Sequence, residues 1–337
     1  MDWKKLALSL VVGSSLAFVG CGDDGSGSAD PLEQERVELP EPVEPENCDA
    51  SAGEEYFYVI NALDFAQADT STGDPTAPGF NIDGFNTPSG GASGCGQMDY
   101  AYDIDQNGSI EEHEMGVDNA LASLAGTLSS YLDLQEEVSN GSIVILARLE
   151  GVEDTTNDSC VTMSLLLGEL PEGTTADELD EDEDGFIDPG ATFEIDPASY
   201  EADGETPLIQ EDAVIEDGRV MMGPVNIGLD IQGIMLNVEN ASVAFDVGET
   251  ELSTGIIGGQ LNIDALLDAV SDLLDGISPE SIRDIIGSAA DLDPVGGEDG
   301  SECESLSLGL EFGAVDAVDG GPADGGGGTD GGGTDGG

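Results

Sequence analysis

Val225-Asn226-Ile227-Gly228-Leu229-Asp230-Ile231-Gln232 alternates apolar and polar side chains. Successive side chains of an extended chain point to opposite faces, so this period of two describes a strand with one face in a core and one in water. The pattern recurs at once in Ile234, Leu236 and Val238, and again in Ala241, Val243, Phe245 and Val247. Three consecutive half-buried strands with short turns, within Arg219–Leu261, predict an antiparallel sheet.

Working outward, Tyr56–Ile60 is β-branched and aromatic and predicts the first strand. Ile143–Ala147 and Val161–Leu167 are almost continuously apolar, as strands covered on both faces are. Ser305–Phe312 predicts a last strand. Val117, Leu121, Leu124, Leu128 and Leu132 recur every three or four residues, which predicts one long helix over Glu112–Val138. Asp264–Asp275 and Pro279–Ser288 predict two short helices, the first stopped by Gly276 and the second started by Ser278-Pro279. The expected architecture is α+β: an antiparallel sheet or sandwich with one long and two short helices in a single domain, residues 48–313. Disordered termini flank it, a tether at 21–47 and a Gly/Asp-rich tail at 314–337.

The 337 residues carry 73 Asp and Glu against six Lys and Arg, a formal net charge of −67. Such a field repels nucleic acid, so no nucleic-acid partner is expected. Two readings of the excess stay open: a surface kept soluble in salty surroundings, or one that gathers cations. Residues 1–20 read as a signal peptide, with Lys4 and Lys5 ahead of the apolar stretch Leu6–Val19, which is too short to span a bilayer. Both lysines leave with it, so Arg36, Arg148, Arg219 and Arg283 are the remaining basic residues. Phe18-Val19-Gly20-Cys21 resembles the cleavage box of bacterial lipoproteins, with Phe18 and Val19 as departures from it. That resemblance implies lipidation at Cys21, a membrane partner through the lipid, and an exported protein anchored in the bacterial cell envelope, at the outer membrane or cell surface. Plain secretion stays open.

Setting Cys21 aside leaves Cys48, Cys95, Cys160 and Cys303, an even set that predicts two disulfides in an exported chain. Three connectivities exist, of which Cys48–Cys95 with Cys160–Cys303 is the one expected. Zinc is the weaker alternative, because the cysteines are far apart and no CxxC pair occurs.

Asp103-Ile104-Asp105-Gln106-Asn107-Gly108-Ser109-Ile110-Glu111-Glu112-His113-Glu114 carries the strongest motif. It resembles the calcium loop of the EF-hand family of calmodulin-like proteins. A hard cation of this size takes about six to eight oxygens at roughly 2.3–2.6 Å. The resemblance implies side-chain oxygens from Asp103, Asp105 and Asn107, the Ser109 carbonyl, Glu111 through a water, and both oxygens of Glu114. It also implies a sharp turn at Gly108 and an Ile110 side chain buried beneath the loop. Gly94–Tyr100 makes no convincing incoming helix, so a structural Ca²⁺ site is expected and not a sensor. Asp180, Asp182, Asp184, Gly185 and Asp188 repeat the first part of the pattern, but the closing position is Ala191. A solvated acidic loop and a weak second metal site, completed by water or Glu194, both stay open there. Phe80–Gly84 reads as an Asx-turn more readily than as a further oxygen cluster.

The search for catalysis is negative. The one histidine, His113, falls within the calcium loop, and no HExxH, nucleophile elbow or phosphate-binding glycine loop occurs. The expected function is therefore a non-enzymatic calcium-binding lipoprotein of the cell envelope. A calcium-dependent adhesion or glycan-binding module, and a carboxylate-based hydrolase, stand as alternatives.

Overall fold

The computed structural model describes residues 35–36, 53–71, 75–87, 97–110, 114–129, 133–181, 184–231, 234–270, 283, 286–294 and 303–323. Eight long strands dominate them: β1 (Glu54–Phe65), β2 (Ile145–Val152), β3 (Asp158–Glu169), β4 (Ile209–Glu216), β5 (Arg219–Ile231), β6 (Ile234–Val247), β7 (Glu251–Asn262) and β8 (Cys303–Pro322). Each pairs antiparallel with its neighbour in sequence. β8 then pairs antiparallel with β1, which closes an eight-stranded up-and-down barrel. Closure gives each long strand a neighbour on both sides, and the β4–β5 seam is the shortest, with two residue pairs, Glu216–Arg219 and Ile215–Val220.

This corrects the α+β expectation, and the long helix is where it fails. Met115–Val117 is a short strand paired with Tyr100–Ala101, and the chain then forms a 3₁₀ turn at Ala120–Ser123, one helical turn at Ala125–Leu128 and α1 at Leu134–Ser139. Gly116 adopts φ +80°, a conformation foreign to a helix interior, and a Cβ there would stand 2.2 Å from the Phe85 carbonyl oxygen. Asn119 and Asp133 then cap the new turns by accepting from the Ala122 and Glu136 N–H groups. A spacing of three and four in the apolar residues therefore reflects several short turns. The expected helix at 264–275 begins as α2, Ile263–Val270. Most of the one at 279–288 lies outside the described residues.

Strand boundaries moved for physical reasons. The alternation breaks between Val238 and Ala241 because β6 carries an irregularity there, with Asn240 at φ +50°, and it continues as one strand. β4 went unread because Gln210, Glu211 and Asp212 put three exposed polar side chains in succession before Ala213 and Ile215 turn inward. β8 runs ten residues past Phe312, so the tail expected from 314 begins as barrel wall, with Ala314 buried.

Phe245 on β6 and Phe312 on β8 meet edge to face inside the barrel, ring centroids 6.1 Å apart. The almost continuously buried faces of β2 and β3 are explained by a cover: Ala191–Ile195 lies alongside β3 and β8, and Phe193, Ile195, Leu179 and Ile187 are all buried. α1 covers β1 where β1 outruns β2. There the Gln135 amide accepts from the Leu63 N–H and donates to the Asn61 carbonyl, standing in for the missing ladder.

The register also overturns one cysteine pairing. Cys160 lies near the end of β3 that leads, through Glu150 of β2, to the start of β1 at Glu54. Cys303 lies beyond Leu310, which pairs with Phe65 at the other end of β1. A twelve-residue strand is roughly 40 Å long, whereas disulfide Cα atoms sit at most about 7 Å apart, so Cys160 and Cys303 do not pair with each other. Cys21, Cys48 and Cys95 lie outside the described residues.

Candidate metal site and a second acidic constellation

Between β1 and β2 the chain leaves the barrel and lies on its outer wall. Phe80, Ile104 and Tyr102 pack against Ala244 of β6 and Ile256 of β7, making a small apolar cluster separate from the barrel interior. Gly258 permits this, since a Cβ there would stand 2.7 Å from the Phe80 ring. Burying Phe80 and Ile104 contributes about 1.5–3 kcal/mol each toward docking this excursion.

The calcium-type loop is the tip of a β-hairpin. Tyr100–Ala101 enters it and Met115–Val117 leaves it, and the Tyr102 N–H donates to the Glu114 carbonyl at 3.0 Å. Among the described residues short strands adjoin the loop, and Met115–Val117 stands where the long helix was expected to leave it. Within it the Asp103 carboxylate accepts from the Asn107 and Gly108 N–H groups, at 3.0 and 2.7 Å. Asp105 accepts from the Asn107 N–H and side-chain amide, at 3.1 and 2.7 Å, and the Asn107 carbonyl oxygen accepts from the Ser109 N–H at 2.9 Å. Gly108 takes φ +87°, as the sharp turn requires. Glu114, fully buried, accepts from the Ile104 and Asp105 N–H groups at 2.6 and 3.2 Å.

Ligand oxygens of Asp103, Asp105 and Glu114 all lie within 4.8 Å of one another, and among the described residues this is the one such grouping of three or more acidic, histidine or cysteine side chains. Three carboxylates converging on one point, with backbone N–H groups fixing their orientation, suit a hard divalent cation. Asn107 and Ser109 belong to the same turn. Glu111 and His113 lie outside the described residues. Ile110 is 47% exposed, contrary to expectation, and Ile104 is the residue that buries beneath the loop.

The second loop shares the first one's wiring. Asp180 accepts from the Asp184 and Gly185 N–H groups at the same offsets, 3.0 and 2.8 Å, and Asp184 accepts from the Phe186 N–H at 3.0 Å. Asp188 reaches back to the Glu181 N–H at 2.7 Å, from a position three earlier than Glu114 holds in its loop. Asp180, Asp184 and Asp188 do not converge as the first set does, and Asp182 lies outside the described residues. Glu194 sits in the covering strand, paired with Glu169. In the Phe80–Gly84 turn the Asp83 carboxylate accepts from the Phe85 N–H at 2.7 Å, an Asx-turn as expected, and the Asn81 side chain accepts from the Gly84 N–H.

One constellation had no signal in the sequence. Asp83, Asp99, Asp118 and Asp291 come from four separate segments that the fold gathers where the excursion meets β8, Asp118 accepting from the Asp83 N–H and Asp291 from Ser307, which holds the Ala120 N–H. Burial, then the charges of Asp83, Asp99 and Asp291, push the Asp118 carboxyl well above the ordinary range. Burial raises Asp99 to about 7 and Asp291 to about 6, and it raises Asp83 as well. The four residues are scattered over more than 200 positions, so only the fold brings them together.

No family model, no curated protein and no solved structure matches the chain.

Proposed function

We propose that the protein is a non-enzymatic calcium-binding lipoprotein of the bacterial cell envelope, in which Ca²⁺ on the Asp103–Glu114 hairpin clamps the long excursion to the barrel wall. The observation that carries this reading is the convergence of Asp103, Asp105 and Glu114, the last wholly buried, on one point of a loop already turned for them. Binding outside cells is commonly in the range of about 10⁻⁴–10⁻³ M, which suits a site loaded most of the time. The lipid at Cys21 and the tether at 21–47 belong to this reading and fall outside the described residues. A wall carrying exposed Asp64, Glu211, Asp212, Glu239 and Glu311 supports a barrel standing in water, because lipid-facing positions reject charge.

Calorimetric titration of the mature chain with calcium, beside an Asp103→Ala, Glu114→Ala variant, tests the proposal. One saturable isotherm with a dissociation constant of about 10⁻⁴–10⁻³ M in the parent, and none in the variant, is expected. Identical heats from both proteins would remove the site.

A further inference from the structure

We propose that the excursion carrying the hairpin is also held to the barrel by a proton-operated latch, built from Asp83, Asp99, Asp118 and Asp291 and independent of calcium. Asp83, Asp99 and Asp118 close pieces of the excursion, Asp83 by accepting from the Phe85 N–H at 2.7 Å, and Asp291 acts on the barrel side. Asp118, 2% exposed, accepts from the Ile82 N–H at 2.6 Å and the Asp83 N–H at 3.1 Å, while its own N–H donates to the Phe80 carbonyl. The Asp99 carboxyl accepts from the Thr87 N–H, and the Asp99 N–H donates to the Thr87 carbonyl at 3.1 Å. On the barrel side Asp291 accepts from the N–H and hydroxyl of Ser307 on β8. The Ser307 oxygen in turn accepts from the Ala120 N–H at 2.7 Å. Ser307 is fully buried, so this relay is a direct tie between excursion and wall.

The groups facing this constellation are acidic or neutral. Asp83 comes from the Asn81–Gly84 turn, Asp99 and the Tyr100 phenol from the hairpin's entering strand, Asp118 from beyond its leaving strand, and Asp291 from the segment leading to Leu292–Pro294. The charges that act most on Asp99, Asp118 and Asp291 are those of the other aspartates of the set. Carboxyls so crowded cannot all ionise without repulsion, whereas a protonated carboxyl still accepts through its carbonyl oxygen. The folded carboxyls are harder to ionise than free ones, so the closed latch keeps protons that the open chain sheds. Its strength is complete below about pH 4, the ordinary aspartate value. It is then lost as pH climbs through about 6 and about 7. Calcium has the opposite dependence, because its ligands must be ionised. The excursion is thus fastened by protons in acid and by metal in alkali.

Hydrogen exchange of the full mature chain, followed by mass spectrometry from pH 5 to 8 with chelator present and corrected for intrinsic rates, tests the latch. Protection of Ile82–Thr87 and Ala120 should fall by at least about tenfold per pH unit between 5 and 7, about tenfold for each proton the closed latch retains. Asp118→Asn and, separately, Asp99→Asn keep an accepting oxygen without the charge, and each should reduce that slope by about one factor of ten per pH unit. Should Asp118→Asn fail to fold, Asp99→Asn alone decides. Protection that is independent of pH, or an unchanged slope in the Asn variants, overturns the proposal. Because chelator is present throughout, a failed calcium site leaves the test intact.

Discussion

Gly309→Ala and Gly313→Ala place the same methyl group on the same strand, and the structure assigns them opposite signs. A Cβ on Gly309 would stand 2.3 Å from the Pro78 carbonyl oxygen and 2.5 Å from the Asn119 amide nitrogen, so the excursion must lift from β8. Lifting strains three hydrogen bonds: Gly309 N–H to Asn119 at 3.1 Å, Asn119 to the Pro78 carbonyl at 2.7 Å, and Ala66 N–H to the Gly309 carbonyl at 3.0 Å. Losing two of them at about 1 kcal/mol each, with about 1–2 kcal/mol of overpacking, gives a destabilisation of about 3–4 kcal/mol. A Cβ on Gly313 meets nothing closer than 3.6 Å. That change should be neutral or stabilise by about 0.4–1 kcal/mol, through reduced freedom of the unfolded chain. Urea unfolding of both variants beside the parent measures the difference, with a matching fall in Tm of roughly 6–12 °C for Gly309→Ala. If the two variants agree within about 0.5 kcal/mol, the docking of Pro78 and Asn119 on β8 is wrong.

With calcium at about 10 mM and affinity in the extracellular range, the site should stabilise the fold by about 1.4–2.7 kcal/mol and raise Tm by roughly 3–8 °C. Glu114→Gln should abolish that rise yet keep the calcium-free Tm, since the amide oxygen can still accept from Ile104 and Asp105; an undiminished rise in differential scanning calorimetry refutes the ligand assignment. Arg219, 7% exposed, ties β5 to Asp246 and Thr254, yet its Nε has no acceptor. Arg219→Met should therefore cost only about 1–2 kcal/mol by chemical denaturation, because Asp246 is partly exposed, and a loss beyond about 4 kcal/mol would contradict this. Peptide mapping without reduction should recover Cys160 and Cys303 each linked to a different cysteine, and a Cys160–Cys303 peptide would contradict the strand register.

How much was legible follows from the range of the forces involved. The alternation from Val225 to Val247 is local, and it yielded antiparallel strands at the right place. The turn within Asp103–Glu114 was legible because its acidic side chains fall in one short segment at fixed spacing, whereas the strand Met115–Val117 that leaves it, in place of the expected helix, was not. Closure was not, since pairing Phe65 with Leu310 leaves no trace in either neighbourhood. The leucines from Leu121 to Leu132 misled because a spacing of three and four fits one helix as well as several turns laid on a wall. Only the identities of Gly116 and Asn119 distinguish the two. Asp118 was invisible for a different reason: in a chain with 73 acidic residues, no single carboxylate announces burial.

The closing seam between β1 and β8 has a consequence for how the molecule comes into being. Asp64 must find Glu311, almost 250 residues downstream, before the cylinder has a complete wall. Until β8 emerges, the earlier strands form a curling ribbon with two raw edges, and such long-range zippering is slow and prone to sticking. A ribosome delivering the strands in order therefore hands over an unfinished barrel until β8 is out. Pro322 is among the final residues of the strand that finishes it.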